Sequence, residues 1–348
     1  MTRAAIVGTG FIARVHGVAL RSLGVEVAAV CSRTQQGAES MGEGRPYTDL
    51  GELLESEDLD VLHICTPNHV HAEIAHATLE QGVHVVCEKP LAVSTAESAA
   101  MSAAVSEKGL IGATCYHVRG YPLIEHMRAE IAGGAIGDVA FVHGRYLCDD
   151  LLVGSSGWRT DPARSGPSYV VGDLGTHWLD AAEHVTGLRV AEISAEFKSF
   201  AGGPLEDYAA LLLRFDGGAR GSVVISAGAG GRKNQLLLEV EGTKAGVTWD
   251  QEEPNTMLLR PGDGPVRTVV KDPLAMSPSA RPLAHYPAGH AEGYGSAFRN
   301  LFAAVYRAID GSTSERFPTF ADGHRGVALV EAAVASARDG SWVAVATD

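Results

Sequence analysis

Short apolar runs recur through the first third of the chain, at residues 4–7, 25–31, 61–65, 83–87 and 110–115. They are rich in Val and Ile, as strands buried on both faces of a parallel sheet should be. Between them the spacing turns helical. Ser94 with Glu97 forms a capping box ahead of Ala99, Ala100, Met101 and Ala104, and Thr48 is expected to cap a short helix through Leu53 and Leu54. Strands separated by helices of this length need right-handed crossovers, which predicts a doubly wound parallel sheet.

After about Arg119 the texture changes. Helical spacing at residues 123–132 and 176–185 is followed by strand candidates at 191–201, 208–215, 221–227, 236–241, 247–249, 257–259 and 266–270. The turns Asp216-Gly217-Gly218 and Glu241-Gly242-Thr243-Lys244 have hairpin chemistry, so this second sheet is expected to be mainly antiparallel. A long connection, residues 272–293, is expected to be functional. It leads to Phe298, Leu301, Phe302, Val305, Tyr306 and Ile309, spaced for one buried helix face. A last amphipathic helix is expected over residues 323–337.

Length agrees with this two-part pattern, since 348 residues exceed what one core ordinarily supports. The expected division is 1–119 and 120–348, with the C-terminal helix packing back on the first part. A net charge of -14 leaves no basic stripe for nucleic acid or anionic lipid. A small neutral or locally paired substrate fits better. The N-terminus runs into a strand without the features of a secretion signal, and no apolar window reaches membrane-span length. The expected location is the cytoplasm. The five cysteines, Cys31, Cys65, Cys87, Cys115 and Cys148, lack CxxC spacing and read as small buried hydrophobes in a reducing compartment.

The chemistry begins at the first turn. Gly8-x-Gly10-x-x-Ala13 follows a strand and precedes a helix, the context that a dinucleotide fingerprint requires. Gly8 permits the tight turn, Gly10 lets backbone approach a pyrophosphate, and Ala13 allows close helix–strand packing. The second strand ends in Cys31-Ser32-Arg33-Thr34, with no acid to hold the ribose hydroxyls of NAD. Ser32, Arg33 and Thr34 suit a 2′-phosphate, which favours NADP over NAD, although Arg33 is also placed to stack on adenine as a solvated residue.

Lys89 follows the strand Val83-His84-Val85-Val86-Cys87 at the carboxyl edge of the first sheet, where open α/β folds bind ligands. A lysine there is ordinarily a surface residue. Asp173 and His177 are four apart, on one face of a helix, and such a pair is ordinarily a salt link. Taken together they fit the oxidation of a secondary alcohol. The imidazole accepts the hydroxyl proton near neutral pH, the carboxylate orients the imidazole or binds the same hydroxyl, and the ammonium, next to Pro90 with its fixed φ, stabilises developing alkoxide charge.

Four segments carry a wider resemblance: Gly8-Thr9-Gly10-Phe11-Ile12-Ala13, Thr66-Pro67-Asn68-His69-Val70-His71, Glu88-Lys89-Pro90-Leu91-Ala92, and Asp173-Leu174-Gly175-Thr176-His177-Trp178-Leu179-Asp180. In order and spacing they resemble the glucose-fructose oxidoreductase / inositol dehydrogenase / MocA family. The resemblance implies an α/β chain, with an N-terminal NAD(P)-binding Rossmann domain and a C-terminal α+β domain for substrate binding and oligomerisation. The second domain would have a large open, mostly antiparallel sheet whose face often forms subunit interfaces. It implies cofactor contacts from Gly8, Gly10, Phe11, Ile12, Ser32, Arg33, Thr66, Pro67, Asn68, His71, Glu88 and Lys89. It also implies catalysis by Lys89, Asp173 and His177, and leaves open whether histidine or lysine takes the proton. His69 and His71 have metal-like spacing, but without a third ligand no metal is expected.

Substrate contacts are expected from His117 and Arg119, where the family often carries Asn in place of His117, from Trp158 and Arg159 ahead of the Asp173 helix, and from His290. The expected activity is NAD(P)-dependent oxidoreduction of a secondary alcohol or ketone on a sugar, sugar derivative or cyclitol, by a homo-oligomer. The alternatives are a redox-neutral sugar modification with tightly held cofactor, and a non-catalytic dinucleotide sensor.

Overall fold

A computed structural model describes residues 2–154, 157–312 and 316–346. The chain forms two compact units. One runs to His117 and takes back Tyr294–Val327; the other comprises Val118–Gly293 and the chain from Ala328 onward.

The first unit is built on six parallel strands, β1 (Arg3–Val7), β2 (Glu26–Cys31), β3 (Arg45–Tyr47), β4 (Val61–Ile64), β5 (His84–Cys87) and β6 (Gly112–Thr114). Their order is β3-β2-β1-β4-β5-β6, so the winding reverses between β1 and β4. That reversal makes the carboxyl ends of these two strands the expected ligand crevice. The helices between strands are α1 (Phe11–Ser22), α2 (Gln35–Glu39), α3 (Leu50–Ser56), α4 (His71–Glu80) and α5 (Thr95–Lys108). Ala5, Ile6, Leu62, Ile64, Val85 and Val86 are fully buried, because helices cover both faces of the sheet. Ser94 caps α5 by accepting from the Glu97 N–H, as its sequence indicates. At α3 the cap is Asp49, whose carboxylate accepts from the Glu52 N–H at 2.8 Å. The expectation for Thr48 is therefore corrected by one residue, since the extended cap backbone falls at Asp49.

Unit two begins with α6 (Pro122–Ala132), β7 (Val139–Leu147), α7 (Pro162–Ser165) and α8 (Thr176–Thr186). The strands β8 (Val190–Lys198), β9 (Tyr208–Phe215), β10 (Arg220–Ser226), β11 (Gln235–Gly242), β12 (Ala245–Asp250), β13 (Thr256–Pro261) and β14 (Arg267–Val270) follow. Helix α9 (Tyr294–Ile309) returns to the first unit, α10 (Phe320–Asp339) starts there and ends in the second, and β15 (Val343–Ala344) closes the sheet edge. The nine-stranded order is β14-β13-β12-β11-β7-β10-β9-β8-β15. Every pairing is antiparallel except β7 with β10.

Central strand β7 is the longest element that the hydrophobic pattern missed, besides the short edge strands β3 and β15. His143, Gly144 and Arg145 interrupt its apolar run, yet Gly144 is required, because a Cβ there would strike the Leu237 carbonyl and the Trp178 indole. Alternation of period two gives the sheet two faces. One buries Val142, Leu211, Val223 and Leu238, while the other exposes Phe141, Leu212, Val224, Leu258 and Val270.

Candidate active site

The first unit holds a prepared anion cradle. Gly8 has φ 112°, a conformation that favours glycine, and a Cβ there would lie 2.4 Å from the Cys65 carbonyl oxygen. Gly10, the N-cap of α1, has extended backbone and no side-chain cap, and a Cβ on it would meet nothing within 4 Å. The first turn of α1 contains no acidic residue. Open space therefore faces uncapped N–H groups and the positive end of the helix dipole, which fits a pyrophosphate. Phe11 is exposed beside it, and Ile12 is half-buried.

At the end of β2, Ser32 Oγ lies 3.4 Å from Thr9 Oγ1. Thr34 is occupied in capping α2, accepting from the Gly37 N–H. Arg33 is exposed, and among the described residues it makes no hydrogen bond or ion pair. After β4, Thr66 and Pro67 are half-buried and Asn68 is buried. The buried Thr66 hydroxyl has no hydrogen-bond partner among the described residues, which suits a ligand-facing loop. The set fits a dinucleotide.

Two expected cofactor contacts are used otherwise. His71 Nδ1 lies 3.0 Å from the Pro90 carbonyl and Nε2 3.0 Å from the Thr66 carbonyl, so the ring is a strut between those loops. Burial lowers its pKa despite both carbonyls. Glu88 is also turned inward. Its Oε1 lies 3.0 Å from His16 Nε2, and its Oε2 accepts the Lys89 N–H at 3.2 Å. Burial opposes its ionisation, but His16 and Lys89 prevail and hold its pKa below the usual range. Both side chains support the loops around the strand end. Lys89 itself stays half-buried at the strand end.

The second unit carries Asp173 and His177. Asp173 lies in a π-helical turn, Val171–Gly175, that runs directly into α8, with His177 in the first turn of that helix. A uniform α-helical spacing was expected; the wider turn replaces it, a feature frequent at functional sites. Glu206, unnoticed in the sequence, organises this entry. Its carboxylate accepts from the Ser168 hydroxyl and from the N–H groups of Tyr169 and Val171. The Trp178 indole donates to the Leu237 carbonyl at 2.9 Å, and so pins α8 to β11.

His177 is buried, with the Tyr146 ring centroid 6.2 Å away. Burial raises the pKa of Tyr146 and Tyr169, with the Asp173 charge adding to it, and both phenols stay protonated. The Asp173 carboxylate takes Arg159 Nε at 3.0 Å. That charge raises the arginine pKa, and the guanidinium also lies over Trp158, 5.0 Å from its ring centroid. Arg159 thus serves Asp173, which sequence spacing gave no means of reading.

Other expected contacts are committed elsewhere. Arg119, half-buried, is locked to Asp180 of α8 through two nitrogens, so its guanidinium anchors that helix. In the first unit, His117 stacks on Phe298 at 5.0 Å and meets Tyr294 edge-on. His290 is exposed in its loop, where its carbonyl caps the buried Lys271.

A family profile described as oxidoreductase family, NAD-binding Rossmann fold, matches residues 2–117, and one described as GFO/IDH/MocA C-terminal domain matches residues 124–248. An uncharacterized oxidoreductase of Bacillus subtilis is 32% identical over 311 residues, 84% of this chain and 79% of that protein. The levoglucosan dehydrogenase of Pseudarthrobacter phenanthrenivorans is 28% identical over 98% of this chain and 97% of its own length. The crystal structure of an inositol dehydrogenase homolog from Azotobacter vinelandii, complexed with NAD+, superposes with TM-score 0.94 at 31% identity, covering 99% of this chain and 97% of that one.

Proposed function

The chain belongs to the Gfo/Idh/MocA family of NAD-binding oxidoreductases, and from that premise we propose that it oxidises, reversibly, a secondary alcohol of an uncharged sugar, sugar derivative or cyclitol. The observation that carries this reading is the Asp173–His177 turn, in which a buried imidazole follows by four residues a carboxylate held by Arg159. The similarity to a levoglucosan dehydrogenase and to an inositol dehydrogenase homolog supports the substrate class.

A bound nicotinamide dinucleotide supplies the hydride acceptor; Gly8, Gly10, Phe11, Ile12, Ser32, Arg33, Thr66, Pro67 and Asn68 are the residues assigned to hold it. Arg33, exposed where an NAD-specific site would place an acid, favours NADP. His177 takes the hydroxyl proton, Asp173 orients the imidazole or the hydroxyl, and Lys89 donates to the carbinol oxygen as negative charge develops there. Arg119 and Arg159 are each matched by a carboxylate, which argues against a phosphate or carboxylate on the substrate. Trp158 supplies an apolar wall. The exposed apolar residues on the outer face of the nine-stranded sheet support a homo-oligomer.

The test is an absorbance screen at the reduced-nicotinamide band across sugars, anhydrosugars, glycosides, inositols and sugar phosphates, with NAD and NADP. Turnover on a neutral polyol is expected, with NADP the tighter cofactor; activity confined to phosphorylated sugars overturns the substrate class, and NAD binding tenfold tighter overturns the cofactor assignment. Lys89→Ala and His177→Ala are expected to bind cofactor as wild type does and to lose about a hundredfold in turnover. Near wild-type turnover in either variant removes that residue from the mechanism.

A further inference from the structure

A line of polar side chains crosses the apolar core of the first unit and ends beside Lys89. The Tyr306 hydroxyl of α9 lies 2.9 Å from His63 Nε2 on β4. His63 Nδ1 lies 3.0 Å from His16 Nδ1 on α1, and His16 Nε2 lies 3.0 Å from Glu88 Oε1. The other Glu88 oxygen accepts the Lys89 backbone N–H. Both imidazoles are fully buried, with Phe302 edge-on to each at 4.6 and 4.9 Å.

A polar line in an apolar core is costly unless each of its groups finds a partner. With Glu88 ionised and both imidazoles neutral, one arrangement of protons satisfies every ring nitrogen. Tyr306 donates its O–H to His63 Nε2, His63 donates from Nδ1 to His16 Nδ1, and His16 donates from Nε2 to Glu88. All three bonds run the same way and end on a carboxylate. Burial pushes His63 toward its neutral form, as this order requires. The neighbouring thiols of Cys65, Cys87 and Cys115 are pushed up by burial and by Glu88, so they stay neutral and offer no competing charge.

We infer that Tyr306, His63 and His16 are positioning residues for Lys89: their one-way hydrogen-bond chain holds the Glu88 carboxylate in one orientation and thereby sets the placement of the neighbouring amine. This rests on the proposed role of Lys89 in proton handling. Nothing in the chain touches substrate, and no proton need travel along it. Its effect is exerted through the Glu88 carboxylate, which is coupled electrostatically to the Lys89 ammonium and bonded to its backbone N–H.

The test uses three variants of the full chain and two readouts. Tyr306→Phe deletes only the last donor, His16→Leu breaks the chain beside Glu88, and His16→Gln keeps one donor and one acceptor. The first readout is the rate at which an amine acylating reagent labels Lys89 in the cofactor-free protein at fixed pH, followed by mass spectrometry. With His16 lost, the Glu88 side chain is released and the Lys89 amine loses its fixed placement, so labelling rises at least threefold; Tyr306→Phe gives a smaller rise and His16→Gln returns to wild type. The second readout is steady-state kinetics, in which kcat falls about tenfold or more in His16→Leu and KM stays within twofold. Unchanged labelling in Tyr306→Phe and His16→Leu overturns the inference. If His16→Leu does not fold, Tyr306→Phe against wild type decides it alone. A wild-type kcat in Lys89→Ala together with altered labelling in these variants refutes the catalytic role of Lys89 and leaves the positioning chain standing.

Discussion

A single half-buried histidine shows how far side-chain chemistry depends on surroundings that no sequence window contains. His184 lies on α8, 3.5 Å from Glu125, and burial is the largest influence on it, bringing its pKa down to about 4. The unfolded chain binds a proton at about 6.5, so between these values the unfolded state holds more protons and stability falls as pH falls. From pH 7 to 4 the loss from this one group is up to about 3 kcal/mol. Urea unfolding midpoints are expected to drop across that window in the wild type and to drop less in His184→Gln. Equal pH slopes in the two proteins refute this account. Lys89, Gly8 and the Asp173/His177 pair were legible at this scale because each sits in a short local pattern. The Arg159–Asp173 and Arg119–Asp180 pairs were not, since each joins segments whose meeting only the fold arranges.

At the scale of elements, the informative feature is the π-helical turn that delivers Asp173 into α8. Glu206, arriving from the segment before β9, satisfies two N–H groups and the Ser168 hydroxyl at that entry. Burial raises its pKa, partly offset by these donors. Glu206→Ala leaves buried donors without an acceptor and is expected to cost about 2 kcal/mol. It should also lower kcat about tenfold while leaving cofactor affinity unchanged, because the turn that holds Asp173 loosens and the dinucleotide cradle belongs to the other unit. Thermal unfolding and cofactor titration check both parts, and unaltered kcat in a folded variant removes Glu206 from the site's support. Most elements could be read from apolar runs. Strand β7 escaped because its Gly144 answers to a crossing carbonyl and indole rather than to strand propensity.

Across the molecule, one face of the nine-stranded sheet leaves Phe141, Leu212, Val224, Leu258 and Val270 exposed. Leu212, at 54% exposure in the middle of β9, is the residue to probe. Leu212→Glu is expected to halve the mass or more in size-exclusion chromatography with light scattering, since a buried carboxylate pair at such an interface is costly. A wild-type protein that elutes as a monomer refutes the oligomer. The sequence by itself determined the parallel and antiparallel sheets, the glycine turn and the lysine at its strand end, because period, turn chemistry and capping act within a few residues. Tertiary structure alone decided that Glu88 and His71 face inward, that Arg159 serves Asp173, and that residues 294–327 join the first unit. Those outcomes rest on burial and on charge pairing between residues far apart in the chain, and neither exists until the chain has folded.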